Sequence, residues 1–325
     1  MKKKIPWYIA FPEEVMTEYC KVKLGDYYTN PEMMLNVQLK SKEIFHQLYG
    51  LPKRGISPTY SSYVEASQFG VEVLFPEDNM PMVKSPVMKE AKEVYKLKIL
   101  NPYKEGLMAK AIKTYYFMKR KVGDKIPVGL GGTEGPVTTA VIVRGQDFFT
   151  DILLHPREAK KLLELVTEAS LLLREVKEKV TGEKIESTGI ADDFSGLLSP
   201  IQYEEFVVPY HKRIYETYGK KGRGLHSELL HKEHLKFLTL LAITHYDPGT
   251  DQYLTVKDII KEIPKIPFSF NLKGPSDMLL GNPETIREKY RKPVADGAPE
   301  MMTELCRGVP KENILAFIKV AKEYE

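Results

Sequence analysis

Two cysteines, Cys20 and Cys306, are all that the 325-residue sequence carries, and they lie too far apart to build a disulfide framework. A stapled secreted domain is thereby excluded, and a reducing cytoplasm is the expected setting. No apolar stretch is long enough to span a bilayer, and the opening "MKKK" does not lead into a signal-like apolar run, so neither a membrane span nor a leader is expected. Neither sign of charge dominates: 48 Lys and Arg face 44 Asp and Glu for a net +4, and Lys2, Lys3 and Lys4 hold three of the positives. No other basic block is interleaved with aromatics, which argues against nucleic acid as a partner. A GxGxxG turn and a P-loop are also missing, and with them the usual dinucleotide and nucleoside triphosphate readings.

What is present is a globular composition, 42% hydrophobic and 10% aromatic with 19 tyrosines against one tryptophan, so the chain can bury a sizeable core. Its length suits one large unit of the α/β-barrel kind. Short apolar runs alternate with long amphipathic ones. The candidate strands are "GVEVLFP" (70–76), "IPVGLGG" (126–132), "KIESTGIAD" (184–192), "RGLHSEL" (223–229), "ITHYDPG" (243–249), "IPFSFNL" (266–272) and, more weakly, "EMMTELC" (300–306).

Helical stretches lie between them: 156–180 is the clearest, 199–219 opens with a capping box at Ser199 and Gln202 with Pro200 behind the cap, and 282–290 opens with Asn282 and Pro283. Before the rhythm begins, residues 29–50 read as a helix started by Asn30 and Pro31 and stopped by Gly50. The expected fold is therefore a (β/α)8 TIM barrel over residues 66–325, with an N-terminal helical extension over 1–65 packed on it.

In such a barrel the working face lies at the C-terminal strand ends, and the residues at the ends of these runs are largely acidic. Glu134 comes after "GLGGT", Asp192 and Asp193 come after "STGIA", His226 and Glu228 close the next run, His245, Asp247 and Asp251 belong to the one after, Asn271 ends the sixth and Cys306 the last. Residues two apart on a strand share a face, which puts His226 beside Glu228 in a spacing suited to zinc, with Cys306 as a further donor and an open fourth position. The same spacing also suits an ordinary hydrogen-bonded pair. Asp192 and Asp193 read either as a loop carboxylate with a helix cap or as catalytic groups. Gly131, Gly132 and Gly135 around Glu134 suggest a backbone held close to something. His231 and His234 fall on the partly exposed start of the next helix, and Tyr203, Phe206 and Tyr210 have the spacing of packing residues.

Several ordered blocks, "DDFSGLLSPIQYEEFVVPYHKRIYE", "GLHSELL", "LLGNPETIREK" and "CRGVPKENILAFIKVAKEY", together with the segment 135–168, resemble the uroporphyrinogen decarboxylase superfamily over roughly residues 65–325. The resemblance implies a TIM barrel and one of two chemistries: cofactor-free decarboxylation of uroporphyrinogen, or zinc-dependent methyl transfer to or from corrinoids. Against the first, the N-terminal part offers only Arg54 where the decarboxylases are similar in carrying an Arg-rich segment, and the mouth is acidic where a polycarboxylate would have to bind. For the second, His226 falls at the His of the family's His-x-Cys zinc pair, Glu228 replaces its first Cys and Cys306 falls near the later one. Fewer thiolates leave a harder Lewis acid, better suited to polarising an oxygen.

Within the superfamily the chain most resembles the first methyltransferase component of O-demethylase systems. The resemblance implies methyl transfer from a small O-methylated substrate, of the aryl methyl ether or methanol type, to the cobalt(I) of a partner corrinoid protein. It implies zinc on His226, Glu228 and Cys306, with Glu134, Asp192 and Asp193 as catalytic groups and Asp247 and Asn271 on the substrate side. A homodimer is common among such members, although no surface stripe identifies an interface. A decarboxylase, a methylcobamide:thiol (coenzyme M) methyltransferase and a non-catalytic corrinoid-binding barrel are the alternatives.

Overall fold

The computed structural model describes residues 4–131, 134–250 and 253–325. Gly132 and Asp251, singled out above, lie outside the described residues. The strands are β1 (Trp7–Ala10), β2 (Val73–Leu74), β3 (Met82–Val83), β4 (Ser187–Ala191), β5 (Gly222–His226), β6 (His245–Asp247), β7 (Ser269–Leu272) and β8 (Glu300–Glu304). Two parallel sheets, ordered β1-β8-β7 and β4-β5-β6, carry the architecture. Isolated parallel bridges extend it: Tyr246 to Phe268 joins β6 to the β7 side, Glu134 to Ala191 meets β4, and Ile56 to Val128 adds two further segments. The pairings thus run from Ile56 round to β1. Among the described residues, none joins β1 back to Ile56.

This is the expected α/β architecture with three local differences. The run at 70–76 supplies only β2, in an antiparallel hairpin with β3; Pro76, which cannot donate to a ladder, and the polar turn after it end the run early. Among the described residues, the run at 126–132 pairs only through Val128, because Pro127 and the glycines around it make a poor ladder. The sheet also begins well before residue 65: β1 lies inside the stretch expected to be a helical extension and pairs with β8 from Trp7–Met301 to Ala10–Glu304. Four residues between lysines and a proline are too few to reveal a strand by alternation.

The helices obey their end signals. Asn30 accepts hydrogen bonds from the Glu32 and Met33 amides to open Pro31–Tyr49, and Gly50 closes it at φ +69°, a conformation that favours glycine. Pro156–Thr181 is a single helix. The stretch at 199–219 keeps its Ser199–Gln202 capping box but breaks at Val207 into Pro200–Phe206 and Val208–Tyr218, where Pro209 starts the second helix. Tyr203 and Phe206 are buried, and Tyr210 packs at the edge of the core. No helix among the described residues is long and apolar enough to cross a membrane.

Beneath the strand ends, the Pro156–Thr181 helix carries a fully buried arginine. Arg174 donates to Thr188 Oγ1 (3.0 Å), Ser170 O (3.2 Å) and Gly189 O (3.0 Å), fastening the helix to β4. With Lys177 it compensates the buried Glu65, whose carboxyl burial pushes up and whose two cationic neighbours pull down. Removing one member of such a group leaves the others uncompensated in a poorly solvating interior. Arg174→Met should therefore lower unfolding free energy by about 3–5 kcal/mol, and Arg174→Met with Glu65→Gln should recover part of it, as read from urea denaturation.

Candidate functional site

The acidic strand ends converge around one imidazole. His226 closes β5, with Asp247 of β6 on one side and Asp193, just past β4, on the other: Nδ1 lies 3.0 Å from Asp247 Oδ2 and Nε2 lies 3.4 Å from Asp193 Oδ1. Burial opposes charge on this ring, but the hydrogen bond to Asp247 and the charges of Asp247, Asp193 and Glu228 outweigh it and raise its pKa to about 9. The imidazole is therefore an imidazolium at neutral pH. Asp247 is held low in turn: burial pushes its pKa up, and His226, the Gly249 amide and Asn271 pull it further down. Asn271 Nδ2 donates to Asp247 Oδ1 at 2.9 Å, while Asn271 Oδ1 is buried with no hydrogen-bond partner among the described residues.

Glu228 stands two residues beyond His226, past the end of β5. Its Oε1 accepts from Thr250 N and Thr250 Oγ1, both at 3.0 Å, and its amide donates to Asp193 Oδ1 at 3.1 Å. Gly249, at φ +57°, brings the loop down onto the pair. A Cβ there would stand 2.5 Å from Glu228 Oε1 and 2.9 Å from His226 Cε1, so the loop closes over both side chains only with glycine at this position.

Asp192 occupies a different place from its neighbour. It is fully buried: Oδ1 accepts from Thr138 N (2.7 Å), and Oδ2 accepts from Val137 N (3.3 Å) and from His211 Nε2 (2.6 Å). It thus satisfies the free amides that open the Pro136–Arg144 helix. Its oxygens are turned into this frame, so of the two readings of Asp192 it takes that of a carboxylate capping a helix. The crowding expected at Gly135 is met: a Cβ there would lie 2.3 Å from Asp192 Cβ and Cγ.

Glu134, one residue before Gly135, is pushed to a pKa of about 9, first by burial and then by the charges of Glu65, Asp193 and Asp192, with His226 acting in the opposite sense. It is a neutral carboxylic acid at pH 7. Glu134, Asp193 and His226 together line a cavity of about 620 Å³, with Tyr63, Thr138 and Phe194 among its walls.

The last strand supplies a residue that the sequence reading missed. Glu304 ends β8; burial pushes its carboxyl up, His226 pulls it down, and the charges of Glu13, Asp247 and Glu228 push it up further. Cys306 lies two residues further on, with Glu14 and Glu18 as its charged neighbours. Reading the strand to 306 placed the end two residues late. Glu65, which helps raise Glu134, sits in a short helix that no sequence signal marks. Of the other histidines, His231 stacks on Tyr253 with centroids 4.3 Å apart, and His245 pairs with Glu300. His234 is buried, not partly exposed as expected, and its Nε2 contacts Leu198 O at 2.8 Å.

A catalytic zinc takes three protein donors and leaves one position open. Among the described residues, no three His, Cys, Asp or Glu side chains form a group that could hold a metal ion. His226 Nε2 and Asp193 Oδ1 make a pair, Glu228 is bound by Thr250, and the charged neighbours of Cys306 are Glu14 and Glu18. The expected set of His226, Glu228 and Cys306 does not come together, so the residues in this arrangement do not fit zinc.

Residues 3–324 match the family profile described as uroporphyrinogen decarboxylase (URO-D). A curated uroporphyrinogen decarboxylase of Flavobacterium johnsoniae is 28% identical over 191 residues, covering 55% of this chain and 54% of that protein. One of Prochlorococcus marinus is 23% identical over 275 residues, covering 78% and 74%. The chain spans about half the length of the first of these relatives. Among solved structures, a methyltransferase from Methanosarcina mazei is 18% identical with a TM-score of 0.76, over 99% of this chain and 94% of that one, a likeness of fold.

The geometry makes two outcomes measurable. Gly135→Ala forces a methyl group into Asp192 and should lower stability by about 1–3 kcal/mol in urea denaturation. Glu134 has the opposite relation to stability: its folded pKa lies above the unfolded one, so the unfolded chain releases a proton that the folded chain keeps. That costs nothing below pH 4.5 and grows as pH rises toward about 9. Glu134→Gln should therefore be more stable than the parent at pH 8 by roughly 5 kcal/mol, with the difference gone at pH 4.

Proposed function

The chain belongs to the uroporphyrinogen decarboxylase (URO-D) family, and from that membership and its acidic cavity we propose that it is a methyltransferase. It moves a methyl group from a small O-methylated donor, of the aryl methyl ether or methanol type, to the cobalt(I) of a corrinoid presented by a partner protein. The observation that carries this reading is Glu134, a carboxylic acid kept protonated to about pH 9 in a cavity it shares with an imidazolium. The solved methyltransferase that shares the fold agrees with it.

Cleavage of a methyl ether is slow because the departing oxygen carries its charge poorly. In the proposed reaction the cobalt(I) electron pair forms the bond to the methyl carbon. The carbon–oxygen bond breaks with its electrons going to oxygen, and the Glu134 proton moves to that oxygen to give an alcohol or phenol. Solvent then returns a proton to the carboxylate. Positive charge on His226, held by Asp247 at 3.0 Å, stabilises the developing oxyanion. Asp193 and the Asn271–Asp247 pair orient the imidazolium. The corrinoid is a substrate held by its own protein at the mouth, and the cavity of about 620 Å³ receives the small donor.

The names of the curated relatives favour decarboxylation of uroporphyrinogen as a second reading. The strand ends argue against it, since the carboxylates of Asp193, Asp247 and Glu228 around His226 would meet a substrate rich in carboxylates. Arg54 does not offset them: its guanidinium stacks 4.1 Å over the Tyr8 ring, and it lines a different cavity.

The test is to mix purified protein with reduced corrinoid and a panel of methyl donors and to follow conversion of cobalt(I) to methylcobalt(III) by absorbance. Donor-dependent methylation is expected, with kcat falling about 10²–10⁴-fold in Glu134→Gln and activity in the parent lost as pH rises past about 9. Absence of methylation with every donor, together with production of coproporphyrinogen from uroporphyrinogen, would overturn the proposal.

A further inference from the structure

The place where the pairings stop is itself a cavity. β1 is the edge strand of its sheet, and between it and the segment leading to Ile56 lies a cleft of about 720 Å³. Its lining tracks β1 and its flanks from Lys4 to Phe11, a length on the order of 20 Å at strand rise. The cleft is therefore elongated. Trp7, Ile9 and Leu51 give it apolar walls, and at one end Phe11 stacks on Phe45 with centroids 3.9 Å apart.

Its charged groups are Lys4, Lys42 and Arg54 against one carboxylate, Glu325, so cations are in excess. Arg54, exposed, lies over Tyr8 and has no carboxylate within 4.0 Å among the described residues. Lys42 extends its amine to the Gly55 carbonyl, and burial lowers that amine to a pKa of about 8. Glu325, the acidic residue of the lining, accepts from Trp7 Nε1 at 2.9 Å. Ligand sites of this size combine mostly apolar walls with a few fixed polar groups, and an anion between Arg54 and Lys42 would gain two charge-assisted hydrogen bonds.

We propose that this cleft is a second binding site, distinct from the acidic cavity, for a long-chain aliphatic carboxylate. The chain lies along β1 against Trp7, Ile9 and Phe11, and the carboxylate meets Arg54 and Lys42. The elongated apolar floor selects a chain over a compact ring, and the two cations select an anion over a neutral or cationic amphiphile.

Trp7 is the sole tryptophan of the sequence, so its fluorescence reports on this cleft alone. Titration of the full chain with dodecanoate, below its micelle concentration, should give a saturable change in Trp7 emission. Dodecyltrimethylammonium should give none. Arg54→Gln and Lys42→Met, each checked for an unchanged far-UV circular dichroism spectrum, should weaken dodecanoate binding about tenfold or more. A flat titration, an equal response to the ammonium amphiphile, or wild-type affinity in both variants would each overturn the proposal.

Discussion

One buried carboxylate fixes the rest of the site. Asp192 takes two backbone amides from the opening of the Pro136–Arg144 helix and a third bond from His211. It thereby ties the end of β4, that helix and the Val208–Tyr218 helix at one point. Because the helix begins at Pro136, the bond also sets where Glu134 sits, two residues upstream, and it leaves Gly135 no room for a side chain. Asp193 continues directly from this anchor toward His226. The two consecutive aspartates thus divide the work: the first holds the backbone, and the second enters the cavity from a position the first has fixed.

Charge in the cavity is a result of that placement. Glu134, Asp193, Glu228, Asp247 and Glu304 all lie in the field of a single imidazole. They cannot all be ionised against one cation in a partly buried space. The outcome is a separation: Asp247, bonded to His226, stays low, while Glu134, further into the interior and near Glu65, holds its proton. Carboxyl groups of one chemical type therefore play opposite parts, one an anion that charges the imidazole and another an acid with a proton to give.

The sequence made the broad architecture legible because amphipathic helices such as Pro156–Thr181 and caps such as Asn30, Ser199 and Asn282 act locally. It also pointed to the strand ends where polar groups gather. It was less informative wherever long-range geometry decides. Trp7–Ala10 is a strand because β8 pairs with it, which nothing in four residues announces. Cys306 drew attention as a rare residue, yet the strand ends at Glu304, whose carboxyl lies in the field of His226. Glu65 tunes Glu134 from a distant helix, and Asp192 differs from Asp193 only in which way the folded backbone points it.

The glycine over His226 has a wider meaning for how the cavity handles protons. Gly249 donates its amide to Asp247 Oδ1, and Thr250, its neighbour, bonds Glu228, so one short loop touches two of the acids that charge the imidazole. Displacing that loop would therefore disturb Asp247 and Glu228 together, so the backbone that closes over His226 also sets the surroundings of two of the acids that charge it.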